Sequence, residues 1–265
     1  MIEDFATSGL FDRAAERHRV LAFDRPGYGR SERPRNRDWT SEAQAAVLAA
    51  AFAQLGGERP VVVGHSWGTL VALALALNQP EAVSGLVLVS GYYYPVPRPV
   101  SALAALPAVP MVGDAMRYTV APVVGAILAP GLIAETFAPS PVPGRFTAGF
   151  PVGRTLRPPH IRASAEDSGF LMPSAAAFER RYGELRLPVA IVAGADDQIV
   201  DPEAHSVCLH GELPGSTLRL VPGEGHMVHH GGAGVVADAV EGVASAARQG
   251  TRSTTAAMTH SDPSR

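Results

Sequence analysis

Val61-Val62-Val63-Gly64-His65-Ser66-Trp67-Gly68-Thr69-Leu70-Val71-Ala72-Leu73-Ala74-Leu75-Ala76-Leu77 is the stretch of this 265-residue chain from which its fold can be read. The three valines are β-branched and apolar without alternation, the pattern of a strand buried on both faces of a parallel sheet. Thr69–Leu77 is apolar on every side, as a helix packed against a sheet should be, and Pro80 follows its end. Between them, Gly64-His65-Ser66-Trp67-Gly68 fits G-x-S-x-G. A strand that passes straight into a helix turns sharply, holds the serine in strained backbone angles and uses the flanking glycines for close chain contact. The hydroxyl then projects above the carboxyl end of the sheet, where the helix N-terminus favours developing negative charge. A serine that merely caps a helix is the competing reading, and the strand–turn–helix setting favours a nucleophile.

Outward from this turn, Val20–Phe23, Leu86–Val89, Val189–Ala193 and Thr217–Val221 read as further buried strands. Ser41 with Gln44 forms a capping box before an alanine-rich helix that Gly56–Gly57 closes, and Gly234–Arg248 reads as the final helix. Strands alternating with helices predict an α/β fold with a mainly parallel sheet. The middle differs: 14 of the 23 prolines lie between Gly91 and Pro173, where average usage would put about four. That density excludes central strands and long helices and predicts an inserted lid of short helices and loops over residues 91–186. Its leucines, isoleucine and phenylalanines (Leu103, Leu106, Ile127, Leu128, Phe137, Phe146, Phe150) favour a lid over a disordered linker. The core then comprises residues 1–90 and 187–248, and the Ser/Thr/Ala-rich residues 249–265 form a disordered tail.

A serine nucleophile needs a base, and the base an orienting acid. Asp197, in Gly194-Ala195-Asp196-Asp197-Gln198-Ile199-Val200, follows the strand Val189–Ala193. His226, in Gly223-Glu224-Gly225-His226, follows Thr217–Val221. Both fall at the carboxyl ends of strands, on the same edge as Ser66, in the chain order Ser…Asp…His that this type of turn uses. In these roles His226 takes the Ser66 proton and returns it to the leaving group, while Asp197 fixes the tautomer. Asp196 competes with Asp197 on sequence alone. Tyr92 and Tyr93, with Tyr94 beside them, follow the strand Leu86–Val89 and are candidates to line a substrate pocket; interface packing is the equal alternative. His226, His229 and His230 match no zinc spacing, so no metal is expected. His229 and His230 are read as lining the start of the last helix, His65 as structural, and His205 and His210 as surface residues.

Composition narrows the function further. All 22 basic residues are arginine, which excludes Schiff-base and P-loop lysine chemistry, and the net charge of −3 gives no footprint for nucleic acid. The single cysteine, Cys208, forms no intrachain disulfide and reads as a small residue packed on a helix. Thr119–Ala134 is interrupted by Pro122 and Pro130, so no membrane span is expected. Six arginines (98, 117, 145, 154, 157, 162) against Asp114 and Glu135 between residues 95 and 165 point weakly to an anionic substrate, and a solvated surface is the favoured reading. No G-x-G-x-x-G is present, which disfavours a nicotinamide enzyme; no cofactor is expected.

Phe23-Asp24-Arg25-Pro26-Gly27-Tyr28-Gly29-Arg30-Ser31, the Gly64–Gly68 turn, the Gly194–Val200 segment and Gly223–His226 together resemble the α/β-hydrolase fold superfamily, in its lid-bearing branch of serine esterases, haloperoxidase-like perhydrolases, proline iminopeptidases and carbon–carbon bond hydrolases. The resemblance implies Asp197 as the acid and the Asp24–Ser31 segment as a structural floor near the nucleophile. It also implies a serine hydrolase cleaving a small ester, thioester, lactone or amide through an acyl-enzyme, with perhydrolysis sharing the same residues. A dehalogenase is disfavoured because that branch carries a carboxylate where Ser66 stands. Relatives place two antiparallel strands and a third strand with a His-Gly loop before the segment that matches Met1 onward, so the N-terminal strands are expected to be missing, as from a downstream start codon. The oxyanion hole uses the N–H of Trp67 and one from that loop; loss of one donor costs about a hundred- to a thousandfold in turnover. A binding or scaffold protein without catalysis is the alternative. A small acyl-containing molecule is the expected partner, and the cytoplasm the default location.

Overall fold

The computed structural model describes residues 1–56, 59–96 and 105–259, with side chains up to residue 250. Four parallel strands make the sheet: β1 (Val61–His65), β2 (Gly85–Val89), β3 (Val189–Gly194) and β4 (Thr217–Val221), in that spatial order. Register pairs Val63 with Val87, Leu88 with Ile191 and Val192 with Arg219. The carboxyl ends of all four strands therefore lie on one edge, and the chain leaves each strand there.

The helices are α1 (Ile2–Ser8), α2 (Leu10–Ala15), α3 (Ser41–Gln54), α4 (Gly68–Asn78), α5 (Val112–Tyr118), α6 (Val120–Phe137), α7 (Gly144–Gly149), α8 (Val152–Thr155), α9 (Pro158–Phe178), α10 (Cys208–Glu212), α11 (Val228–Gly231) and α12 (Ala233–Thr259). Alternation along the strands divides the core into two layers. Leu86, Leu88 and Ile191 pack with α4, where all nine residues from Thr69 to Leu77 are buried, and with Phe178 and Tyr182 at the end of the helical insertion. Val87, Val89, Ala190 and Val192 face the other way, onto Leu10 of α2 and Val236, Val240 and Val243 of α12.

Several expectations are corrected. Val20–Phe23 is half-buried but is not a strand. A strand needs a neighbour for its N–H and C=O groups. Between this segment and β1 lies instead a cavity of about 2770 Å³, walled by Val20–Phe23, Val61–Val63 and Leu48 and Phe52 of α3. The described residues between 91 and 186 include no strand, but two of the helices there are long, α6 with 18 residues and α9 with 21. Pro158 and Pro159 open α9 where no N–H bond is needed, and α6 and α9 continue past the interior Pro130 and Pro173. Proline interruption thus does not distinguish α6 from a membrane span: it is the one described helix long and apolar enough to cross a bilayer. It is largely exposed, with Val120, Val123, Ile127 and Leu132 facing outward.

Thr40, not Ser41, caps α3, its side chain accepting from Ala43 N at 3.3 Å. Gln44 is drawn away from any capping role because its amide donates to Trp39 O and Asp167 Oδ1, both at 3.0 Å. The last helix runs on to Thr259 rather than ending at Arg248, so residues 249–259 of the expected tail are helical. Cys208 opens α10 and is exposed rather than packed. Expectations that fall on Gly57, Pro97, Arg98, Pro99, Leu103 and residues 260–265 lie outside the described residues.

Candidate active site

Ser66 sits between β1 and α4 with φ of 52°, the left-handed region that a non-glycine residue enters only where its surroundings impose it. Ser66 N donates to Val89 O at 2.9 Å, which extends the ladder to β2 by one bond, and Thr69 Oγ1 donates to Ser66 O at 2.6 Å. A Cβ on Gly64 would lie 2.7 Å from Gly68 O, so the strand and the helix start approach as closely as only glycine allows. Gly68 itself faces open space, so of the two flanking glycines only Gly64 is sterically required. Trp67, the residue after Ser66, is the N-cap of α4, so its N–H lies at the helix start.

The loop after β3 brings Asp197 to this edge, and the loop after β4 brings His226. A Cβ on Gly194 would lie 2.2 Å from both Glu224 O and Gly225 O, so the two loops touch through backbone alone. His226 Nε2 is 2.8 Å from Ser66 Oγ, and His226 Nδ1 is 2.8 Å from Asp197 Oδ2. Asp197 Oδ1 accepts from Ile199 N and Val200 N at 2.8 and 2.9 Å, which leaves Oδ2 for the imidazole. Both partners are buried, with side-chain exposures of 6% for His226 and 0% for Asp197. Asp196 turns the other way and accepts from Gly223 N at 2.8 Å. The three side chains named from the sequence thus meet in one hydrogen-bonded line.

A cavity of about 160 Å³ opens beside Ser66, lined by Tyr28, Trp67, Tyr92, Leu171, Ile199 and Val200 and by Ser164, Asp167 and Ser168. Tyr92 lines this cavity, its hydroxyl donating to Val96 O. Tyr93 does not line it: the residue is fully buried in the core, and Tyr182 Oη donates to its carbonyl at 2.5 Å. His205 is buried too, its Nδ1 accepting from Tyr93 N at 3.1 Å, because the turn that carries it packs on the tyrosines after β2. None of the described arginines expected to draw an anion lines this cavity. Arg117, Arg154 and Arg162 pair instead with Asp114, Glu3 and Glu166.

Sequence reasoning missed Asp167, whose side chain is only 4% exposed. Its carboxylate accepts from Arg25 Nη1 at 2.6 Å, Tyr28 Oη at 2.7 Å, and Arg33 Nη1 and Gln44 Nε2 at 3.0 Å. Trp67 Nε1 donates to Asp167 O at 2.9 Å, and the Arg25 guanidinium lies 4.3 Å from the Tyr28 ring centre and 4.6 Å from that of Trp67. Helix α9 is thereby clamped to the Asp24–Ser31 segment and to the residue after the nucleophile. A carboxylate in a helix gives no signal that arginines more than a hundred residues away will meet it.

A second polar cluster lies under His226. Asp4 Oδ2 is 3.1 Å from His229 Nε2, Asp4 Oδ1 is 2.8 Å from His230 Nε2, and His65 Nε2 is 3.0 Å from His226 O. Burial pulls the Asp4 carboxyl upward, but His229 and His230 hold it well below the ordinary carboxylate range. Burial also lowers His65 strongly and His229, so both rings are neutral. One donor atom each from Asp4, His65 and His229 lies within 4.8 Å of the others, the nearest approach to a metal-binding set among the described residues. The protons argue for hydrogen bonding there. His65 Nε2 already donates to a carbonyl, and were His229 Nε2 turned to a metal, its Nδ1 proton would be buried without an acceptor.

The sequence pattern of the α/β hydrolase fold matches residues 3–233. The chain is 30% identical over 241 residues to an uncharacterised protein of Mycobacterium tuberculosis, covering 84% of this chain and 66% of that one. A Klebsiella pneumoniae protein provisionally named carbamate hydrolase RutD is 28% identical over 219 residues, covering 82% of this chain and 78% of its own. The crystal structure of an alpha/beta hydrolase fold protein from Burkholderia ambifaria superposes with a TM-score of 0.69 at 24% identity, over 86% of this chain and 82% of the other, a likeness of fold. With a match over most of its length, the chain belongs to the α/β-hydrolase fold family.

Proposed function

We propose that this chain is a serine hydrolase that cleaves a small acyl compound (ester, thioester, lactone, amide or carbamate) through an acyl-enzyme on Ser66. The observation that carries the reading is the pair of 2.8 Å contacts joining Ser66 Oγ, His226 and Asp197, with the serine on a left-handed turn. In this mechanism His226 Nε2 takes the hydroxyl proton as Ser66 Oγ attacks the acyl carbon, then passes it to the leaving group. A water deprotonated by the same imidazole releases the acid. Asp197 holds the Nδ1–H tautomer and stabilises the imidazolium. The Trp67 N–H faces the developing oxyanion.

Residues 1–90 and 187–248 act as the catalytic core, and residues 91–186 as the lid. Ser164, Asp167, Ser168 and Leu171 of α9 wall the cavity over Ser66. This space holds only a short acyl group, whereas Ser66, Trp67 and Tyr28 also line the 2770 Å³ cavity beside β1, which has room for a longer one. The test is a p-nitrophenyl ester series of rising acyl length. Turnover should vanish in Ser66→Ala; a peak at acetate to butyrate assigns the acyl group to the 160 Å³ cavity, and undiminished turnover at octanoate assigns it to the larger one. A folded sample without turnover at any length, on esters or carbamates, would favour a binding protein of hydrolase fold.

A further inference from the structure

We propose that Asp4, on the opposite side of the molecule's sequence from the catalytic histidine, is a positioning residue for His226: it fixes the short helix that follows His226, while His65 fixes the His226 carbonyl. The inference rests on the Ser66–His226–Asp197 reading.

The chain turns after β4, delivers His226, and enters α11, a helix of only four residues. Helices this short have no stability of their own, so side chains must hold them. Asp4 does so from α1 by accepting from both His229 and His230, whose side chains are 0% and 1% exposed. From the other side, His65 in the nucleophile turn donates to the His226 carbonyl, so the two catalytic loops are tied directly. The rings touch in sequence at tilted angles, with centroids 5.0 Å apart for His226 and His65, 4.2 Å for His65 and His229, and 4.6 Å for His229 and His230.

Such a cluster is a poor device for stability. His229 Nδ1 and His230 Nδ1 are buried without a hydrogen-bond partner among the described residues, and a buried carboxylate is often replaced by apolar groups without loss. What it supplies is direction. A carboxylate with two acceptor oxygens and two fixed imidazole donors admits one arrangement, whereas apolar packing admits several. The reacting contact it protects is the 2.8 Å separation of His226 Nε2 from Ser66 Oγ, and a displacement of about 1 Å there costs on the order of a hundredfold in rate.

The experiment compares Asp4→Ala with Val243→Ala, a truncation of a buried α12 residue that packs on Gly85 at the far end of β2 from the site. Both are assayed on p-nitrophenyl acetate, and the low-field proton of His226 Nδ1, identified by its loss in Asp197→Ala, is followed by NMR. We expect Asp4→Ala to lower kcat by about ten- to a hundredfold with KM nearly unchanged and to shift or broaden the His226 resonance. Val243→Ala should lose thermal stability but keep kcat and the resonance. Asp4→Asn, which retains one acceptor, should fall between, and it carries the comparison if Asp4→Ala does not fold. Equal losses of kcat in the Asp4 and Val243 variants, or an Asp4 variant with unchanged kcat and an unmoved resonance, would overturn the proposal. If the wild type shows no Ser66-dependent turnover, the functional reading fails separately, and the resonance alone decides whether Asp4 positions His226.

Discussion

Asp197 gives one oxygen to two backbone N–H groups and the other to His226, so its carboxylate has no freedom left. An amide in its place would keep the shape but present the wrong donor to one of these partners and favour the wrong imidazole tautomer. Asp197→Asn should therefore fold normally and lose about ten-thousandfold in kcat, measured on the best ester of the series. Ser66, Asp197 and His226 were legible in the sequence because each belongs to a local pattern: a turn between strand and helix, or a loop behind a strand. Asp4 and Asp167 were not. Their partners lie on distant segments, and nothing local distinguishes a carboxylate that will be buried against two histidines or two arginines from one that faces solvent. Tyr93 was misplaced for a related reason. Three consecutive tyrosines show that aromatic surface is needed, while the direction of each ring depends on His205 and Tyr182, which arrive from elsewhere.

At the scale of elements, the nucleophile turn tests whether close backbone approach shapes the site. Gly64→Ala forces a Cβ to within 2.7 Å of Gly68 O, so strand or helix must shift. The cost should be about 1–3 kcal/mol of stability, read as a lowered urea midpoint, with Ser66 displaced and activity lost. Gly68→Ala meets no atom within 4 Å and should instead keep activity and gain a few tenths of a kcal/mol, up to about 1 kcal/mol. The four observed strands were all readable as strand-forming runs, but β4, with Arg219 inside it, is a partly exposed edge strand rather than the buried one expected. Val20–Phe23 has the same composition but lacks a neighbour to bond, and strand formation is a property of pairs, which no single run reveals. Proline density alone does not set helix length, since α6 and α9 continue past Pro130 and Pro173. The effect of a proline depends on its position in the helix, and α9 begins with two.

For the molecule as a whole, the buried imidazoles set the response to acid. Burial lowers His65 and His229, and it lowers His160 from 6.5 to about 4. Each binds its proton less tightly folded than unfolded. Below the ordinary value of 6.5 the unfolded chain therefore holds more protons, and stability falls as the pH falls. Asp4, held well below its ordinary value of 3.8, adds its own loss only in stronger acid. Melting temperature should thus decline from pH 7 toward pH 4, with the decline reduced in His160→Gln; a flat profile over that range would show that these rings are not buried as neutral groups. The most direct measurement of the catalytic arrangement is labelling with a fluorophosphonate followed by peptide mass spectrometry. One adduct should form on the peptide containing Ser66, at a rate that falls by orders of magnitude in His226→Ala. An unlabelled Ser66 in folded protein, or labelling as fast without His226 as with it, would contradict the assignment of Ser66 as a nucleophile activated by that histidine.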